Sequence, residues 1–151
     1  MKERNKFLLR LAALIPVLVL VWLAIGAARD PYRQTTEQFK QDRAALAAAA
    51  QAVLAQGSAK GIQPPQGWEV AYYDSGVPTV EFELGGAGFG SSTSYWGVNY
   101  VPDDRPVGFQ GSPWGHWRPQ GNGRIWQEPE GDNRCYVERL DTGWYYYKMD
   151  F

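Results

Sequence analysis

The chain's single histidine lies in a loop rich in residue types that bind ligands or catalyse reactions. His116 stands between Trp114 and Trp117 in the segment GSPWGHWRPQGNG, and Arg118 follows directly. A histidine that acts as a general base needs an acceptor and an orienting carboxylate within hydrogen-bond reach. The sequence alone identifies neither, so we predict no catalytic residue and expect His116 to have a packing or binding role.

The tryptophans of this loop indicate binding. An indole face stacks on a sugar ring or anchors a protein partner, and a loop position makes core burial less expected. We therefore predict a binding site formed by Trp114, His116, Trp117, Arg118 and Trp126. The alternative is that these tryptophans belong to the core, because so small a domain needs large side chains there.

Paired carboxylates are a further candidate for chemistry. Two carboxylates roughly 5–9 Å apart can hydrolyse a glycosidic bond, but their separation depends on the fold. A small carboxylate-dependent hydrolase therefore remains an alternative, and the pairs are Glu81 with Glu83, Asp103 with Asp104, and Glu128 with Glu130.

The chain has one cysteine, Cys135, and therefore no internal disulfide. In the predicted strand NRCYVERL the cysteine points to the same face as Val137, which is typical of a small, half-buried apolar side chain. Structural zinc usually requires four His or Cys ligands, and the chain offers two. We predict no metal site and no cofactor.

Residues 11–28 form a run of eighteen without a charge. With the apolar residues that precede Arg10, the run is long enough to cross a bilayer core, which needs about 20 apolar residues. Lys2, Arg4, Lys6 and Arg10 stand on its N-terminal side against one acid, an excess typical of a cytoplasmic flank. We predict a signal anchor or transmembrane helix over residues 1–29, with the C-terminal domain outside the cytoplasm. Cleavage after the small residues at 24–28, giving a secreted protein, is the alternative.

The charge is divided unevenly along the chain. Residues 1–61 carry a net charge of +5 and residues 62–151 a net charge of −6. An acidic outer domain repels phosphate polymers, so we expect no nucleic acid partner.

A second helix is predicted over residues 30–56. Asp30 and Pro31 form a helix start, the following residues are good helix formers, and Gly57 is a typical stop. Phe39, Leu46 and Val53 recur every seven residues and make one apolar stripe. We expect this stripe to pack on the chain's own sheet, while packing on a partner helix remains the alternative.

The remaining residues predict a β domain. The linker at 57–67 holds three Gly and two Pro, and 68–151 is rich in aromatic residues separated by Gly and Pro. Alternation in the strand at 79–85 predicts Val80, Phe82 and Leu84 inward, with Thr79, Glu81 and Glu83 facing water. The predicted fold is α+β with an antiparallel meander of six or seven strands, and a small closed sheet is the alternative. The predicted strands are 68–74, 79–85, 94–101, 107–111, 124–128, 133–140 and 143–151.

The layout of an apolar N-terminal helix, a second helix and a β domain is similar to that of type IV pilins and pseudopilins. The resemblance covers the layout alone. The pilin-type processing motif, a Gly followed by Phe or Met with a Glu further on, has no counterpart in NKFLLRLAAL at residues 5–14.

These observations predict a non-catalytic, membrane-anchored, extracytoplasmic interaction module. Its expected partners are the lipid bilayer and an envelope protein or glycan, which would bind the aromatic loop at 112–126. The alternative is a structural subunit of a membrane complex that assembles through its N-terminal helices.

Overall fold

A computed structural model describes residues 30–151, which form one helix and one seven-stranded antiparallel sheet. This confirms the α+β class. The predicted membrane segment at 1–29 lies outside the described residues, and no helix within 30–151 is long and apolar enough to cross a bilayer. The elements are α1 Pro31–Gln56, β1 Glu69–Asp74, β2 Pro78–Phe89, β3 Ser92–Tyr100, β4 Arg118–Gln120, β5 Gly123–Gln127, β6 Arg134–Asp141 and β7 Trp144–Asp150.

Helix α1 begins and ends where the sequence predicts. The Asp30 carboxylate accepts a hydrogen bond from the Tyr32 backbone N–H at 3.1 Å, and Pro31 occupies the first turn. At the other end, Gly57 adopts a left-handed φ of 65°, and its N–H donates to the Leu54 carbonyl.

The apolar stripe of α1 packs on the chain's own sheet, as expected. Phe39, Leu46 and Val53 are buried in one cluster with residues from β2, β3 and β7. The Arg43 guanidinium lies 4.7 Å from the centre of the Trp144 ring and pairs with Asp141 at 3.1 Å. The helix therefore leaves no unfilled apolar stripe for a partner helix.

The sheet consists of two meanders joined at their inner strands. The strand order is β1-β2-β3-β7-β6-β5-β4, and β3 pairs with β7 from Ser94 opposite Asp150 to Tyr100 opposite Trp144. The antiparallel meander is thus confirmed, although the C-terminal strand lies in the middle of the sheet. Strands β1 and β4 form its edges, so the sheet is open and the closed alternative does not form.

The prediction of a strand at 107–111 is wrong. Phe109–Gly111 forms a 3₁₀ turn in which Gln110 and Gly111 have φ values of 57° and 66°. These left-handed angles are incompatible with an extended strand. The segment at 102–106 does not join two neighbouring strands, because it starts a crossover from β3 to the edge strand β4. Strand β4 itself was not predicted, since its three residues include a proline.

The crossover segment, residues 101–117, covers the sheet face opposite α1. Thr79 is buried and Glu81 is only 3% exposed, so the expectation that these side chains face water is wrong. Phe109 of the crossover packs with Cys135, Val137, Tyr147 and Met149. Both faces of the central sheet are therefore covered.

Asp104 holds the crossover against the turn between β6 and β7. Its carboxylate accepts hydrogen bonds from the Arg139 guanidinium at 2.7 Å and from the Gly143 N–H at 2.8 Å. Its backbone carbonyl accepts one from the Tyr145 hydroxyl, also at 2.7 Å. The Arg139 hydrogen bonds, followed by the Gly143 N–H, lower the pKa of Asp104 below its usual range.

Replacing the fully buried Leu46 tests the packing of α1 on the sheet. We expect Leu46→Ala to lower the free energy of unfolding by about 2–5 kcal/mol, because the cavity under α1 cannot fully collapse. Urea denaturation followed by tryptophan fluorescence measures the loss. Lys40→Ala, at an exposed position of the same helix, is the matched control and should change stability little. Equal stability of the two variants would contradict this packing.

Candidate functional site

Three of the five predicted site residues form one aromatic cluster. The Trp114 ring stacks on the Trp126 ring with centroids 4.2 Å apart and planes 16° apart. The Trp117 ring centre lies 6.3 Å from that of Trp114, tilted by 46°. All three side chains are half-buried, so the cluster is anchored on the core and still reaches the surface. We call Trp114, Trp117 and Trp126 the tryptophan cluster.

The crossover backbone fixes the position of Trp114. A Cβ atom on Gly108 would lie 2.4 Å from the Trp114 ring, so only glycine allows this approach. The Gly108 carbonyl accepts a hydrogen bond from the buried Asn99 amide at 3.2 Å, and its N–H donates to the Ser112 carbonyl at 2.9 Å. The loop is therefore tied to the sheet beside the cluster.

His116 and Arg118 adjoin Trp117 in the sequence, and both are exposed. His116 has a left-handed φ of 65°, which is uncommon for a residue with a side chain. Within the described part of the chain, neither side chain makes a hydrogen bond to another group of the protein. Together with the indole rings, they offer stacking surfaces next to free hydrogen-bond donors, which suits binding more than catalysis.

A groove of about 670 Å³ lies where α1 begins, and sequence reasoning missed it. Tyr32 and Tyr136 both donate hydroxyl hydrogen bonds to Glu138, at 2.7 and 2.6 Å. The Tyr32 ring meets Tyr146 edge-on at 5.1 Å. The Glu138 hydrogen bond and burial raise the pKa of Tyr32 to about 12, so it stays a donor at physiological pH. Alternation in β6 could have placed Tyr136 beside Glu138, but nothing local links Tyr32 to them.

Glu81 is a buried carboxyl group under the crossover. It accepts a hydrogen bond from the Gln110 N–H at 2.7 Å, which ties the 3₁₀ turn to β2. Burial raises the pKa of Glu81 to about 8, although the Gln110 hydrogen bond acts in the opposite direction. Glu81 is therefore largely protonated at neutral pH.

The hydrolase alternative depends on the cleft beside Glu81. Glu83 and Tyr73 line this cleft together with Glu81, but its volume is about 150 Å³. Ligand pockets usually enclose roughly 300 Å³ or more. This cleft is thus too small for a sugar ring and its neighbours, although Glu83 also lines a wider groove of about 700 Å³. Glu81 is already engaged in holding the turn.

The other predicted carboxylate pairs lie in the crossover and in the loop between β5 and β6. Asp104 is bound to Arg139, and the neighbouring Asp103 pairs with Arg105 at 2.8 Å. Glu128 and Glu130 lie in the loop between β5 and β6. Asp103 and Asp104 are thus each paired with an arginine rather than free to act as a general acid and base.

Cys135 is fully buried in β6, opposite Trp126. Burial raises the pKa of its thiol to about 12, which leaves almost no thiolate at neutral pH. The packing role that the sequence indicated is confirmed. In residues 30–151, no three His, Cys, Asp or Glu side chains are grouped so as to hold a metal ion.

Comparisons with protein-family models, with curated proteins and with solved structures gave no significant match. The similarity to pilins therefore stays a likeness of layout.

The buried carboxyl group of Glu81 predicts a pH dependence of stability. Because its folded pKa is raised, the folded state holds this proton more tightly than the unfolded state. Stability should fall as the pH rises from about 4.5 to about 8 and change little from this group above that range. Glu81→Gln keeps an acceptor for the Gln110 N–H and should abolish most of this slope, as measured by the melting temperature at each pH.

Glu130→Gln, at an exposed loop position, is the control and should retain the slope. If the melting temperatures of the wild type and of Glu81→Gln rise in parallel across this pH range, the raised pKa of Glu81 is wrong.

Proposed function

We propose that this protein is a membrane-anchored, extracytoplasmic binding module without catalytic activity, which holds an envelope component at its tryptophan cluster. The stack of Trp114 on Trp126 with Trp117 beside it carries the proposal, because all three rings are half-exposed and held in place. Trp114 and Trp117 lie on the crossover, and Trp126 lies on β5. Preorganised aromatic rings lose little conformational entropy when a ligand binds.

The proposed location rests on the sequence of residues 1–29. The uncharged run at 11–28 and the basic residues before it support an anchor with a cytoplasmic N-terminus. The domain that follows would then face the envelope. Signal cleavage and secretion would leave the binding role in place but remove the tether.

A glycan is the ligand class that the cluster favours. Flat indole rings stack on the apolar faces of sugar rings, and the exposed His116 and Arg118 supply donors for hydroxyl groups. The acidic charge of residues 62–151 disfavours a polyanionic ligand, so a neutral or cationic polysaccharide fits best. Binding of an envelope protein to the same rings is the competing outcome.

The alternative of a structural subunit receives less support. The apolar stripe of α1 is already buried on the sheet, with Leu46 and Val53 inaccessible to solvent. Assembly through helices would then have to depend on residues 1–29 alone.

Trp117 is the residue whose replacement tests the proposal. We expect Trp117→Ala to weaken binding of isolated envelope polysaccharide by tenfold or more, since loss of one stacking aromatic at a binding hot spot costs about 2 kcal/mol. Trp117→Phe should retain part of the affinity. Isothermal titration of the full-length protein in detergent measures both, and unchanged melting temperatures exclude unfolding.

Phe89→Ala removes an exposed aromatic ring elsewhere and is the matched control. Polysaccharide affinity unchanged by Trp117→Ala, or reduced equally by Phe89→Ala, would contradict a glycan site at the cluster. If the polysaccharide does not bind and an envelope protein binds in a Trp117-dependent manner, the ligand is a protein and not a glycan.

A further inference from the structure

The described domain has one end at which several elements terminate together. Strand β7 ends at Asp150, which stands opposite Ser94 of β3 on one side and Arg134 of β6 on the other. The loop between β5 and β6 lies at the same level, because Gln127 pairs with Arg134. We call this the Asp150 end of the sheet.

The N-terminal segment joins the domain at this end. Asp30 and Tyr32 line the groove described above together with Arg134, Lys148 and Asp150. Only Arg29 and Asp30 stand between the uncharged run at 11–28 and the first turn of α1. Two residues span at most about 7 Å, so a run held in a bilayer would keep the Asp150 end at the membrane surface.

The exposed aromatic side chains of the described domain also gather at this end. Among residues 30–151, the large hydrophobic side chains with the greatest exposure are Phe89 at 95%, Phe151 at 38% and Tyr32 at 36%. Phe151 directly follows Asp150, and its N–H donates to the Thr93 carbonyl at 2.8 Å. Tyr32 lines the groove at the start of α1.

Phe89 reaches furthest beyond the sheet. Ala87 is the β2 residue opposite Ser94, and the hairpin continues past that level to Phe89, opposite Ser92. With about 3.3 Å per residue, the hairpin tip extends roughly 10 Å beyond the end of β7. A fully exposed phenylalanine at such a tip has no partner within the described domain.

We propose that the Asp150 end rests on the lipid bilayer, with the Phe89 side chain inserted at the membrane interface. This inference rests on the membrane anchor of the proposed function and adds a second contact with the same bilayer. Aromatic rings favour the interfacial region, and the short connection at 29–30 holds this end, rather than any other, against lipid.

The charges at the Asp150 end favour a zwitterionic lipid surface. Arg134 and Lys148 can meet lipid phosphates, but both also contact Asp150, at 3.3 and 2.8 Å. Acidic side chains stand in the adjacent loop at Glu128, Glu130 and Asp132. The net charge of this end is therefore close to zero or negative. Insertion of apolar side chains, rather than attraction to anionic lipid, then has to supply the contact with the membrane.

Site-specific labelling in vesicles tests the docking. The full-length protein is reconstituted into phosphatidylcholine vesicles that carry nitroxide-labelled lipid, with an environment-sensitive fluorophore on Phe89→Cys. The control label is on Ser75→Cys, in the exposed turn between β1 and β2 at the opposite end of the sheet. The native Cys135 is buried, and the protein without a new cysteine gives the labelling blank.

We expect the label at position 89 to be blue-shifted and strongly quenched by the lipid nitroxide, and the label at position 75 to be neither. Vesicle flotation separates the two proposals. If the protein floats with the vesicles but neither label is quenched, the anchor is supported and the docking is wrong. Protein that does not float overturns the anchor and the docking with it. Floating protein in which position 89 crosslinks to a second copy, without lipid quenching, replaces the bilayer with a self-contact and also overturns the docking.

Discussion

The antiparallel pairing of β3 with β7 is the contact on which the rest of the structure depends. It joins two meanders that are otherwise separate, and it brings the last strand of the chain into the centre of the sheet. Side chains alternate along β7, so Trp144 supports the core under α1, while Tyr147 and Met149 support the core under the crossover. Strand β7 therefore supplies aromatic side chains to the core on both faces of the sheet, in a domain that has no disulfide to stabilise it.

This pairing also explains why residues 101–117 form a crossover. The chain leaves β3 in the middle of the sheet and has to reach the far edge before β4, β5 and β6 return toward the centre. Its path lies across the sheet face that α1 leaves free. Glu81 and Gly108 adapt to that path: the first accepts the Gln110 N–H, and the second allows Trp114 to approach. The tryptophan cluster results from this route.

Local signals predicted the parts of the structure that local chemistry determines. Asp30, Pro31 and Gly57 mark the helix, and the seven-residue spacing of its apolar side chains predicted which face is buried. The segment VGFQG at 107–111 was misread, because its aromatic and β-branched residues suit a strand while its backbone turns left-handed. Burial of Glu81 could not be foreseen, since the covering segment lies 29 residues away at Gln110.

Only part of the candidate site could be predicted, because the rest of it depends on contacts between residues far apart in sequence. Trp114 and Trp117 are neighbours in sequence, but the contact of Trp114 with Trp126 requires the pairing of β5 with β6 beneath the crossover. The groove at Tyr32 depends on a hydrogen bond between residues 106 positions apart. Composition and local spacing carry no information on contacts between residues so far apart in sequence. The position of Phe89 at one end of the sheet likewise depends on the strand pairing, which the sequence does not reveal.

We propose that residues 1–29 remain attached to the domain and hold its Asp150 end at a membrane. Intact-mass measurement of the native protein after separation of membrane and soluble fractions tests this claim most directly. We expect a full-length mass in the membrane fraction that persists through carbonate washing. A mass lacking about the first 28 residues, found in the soluble fraction, would contradict it.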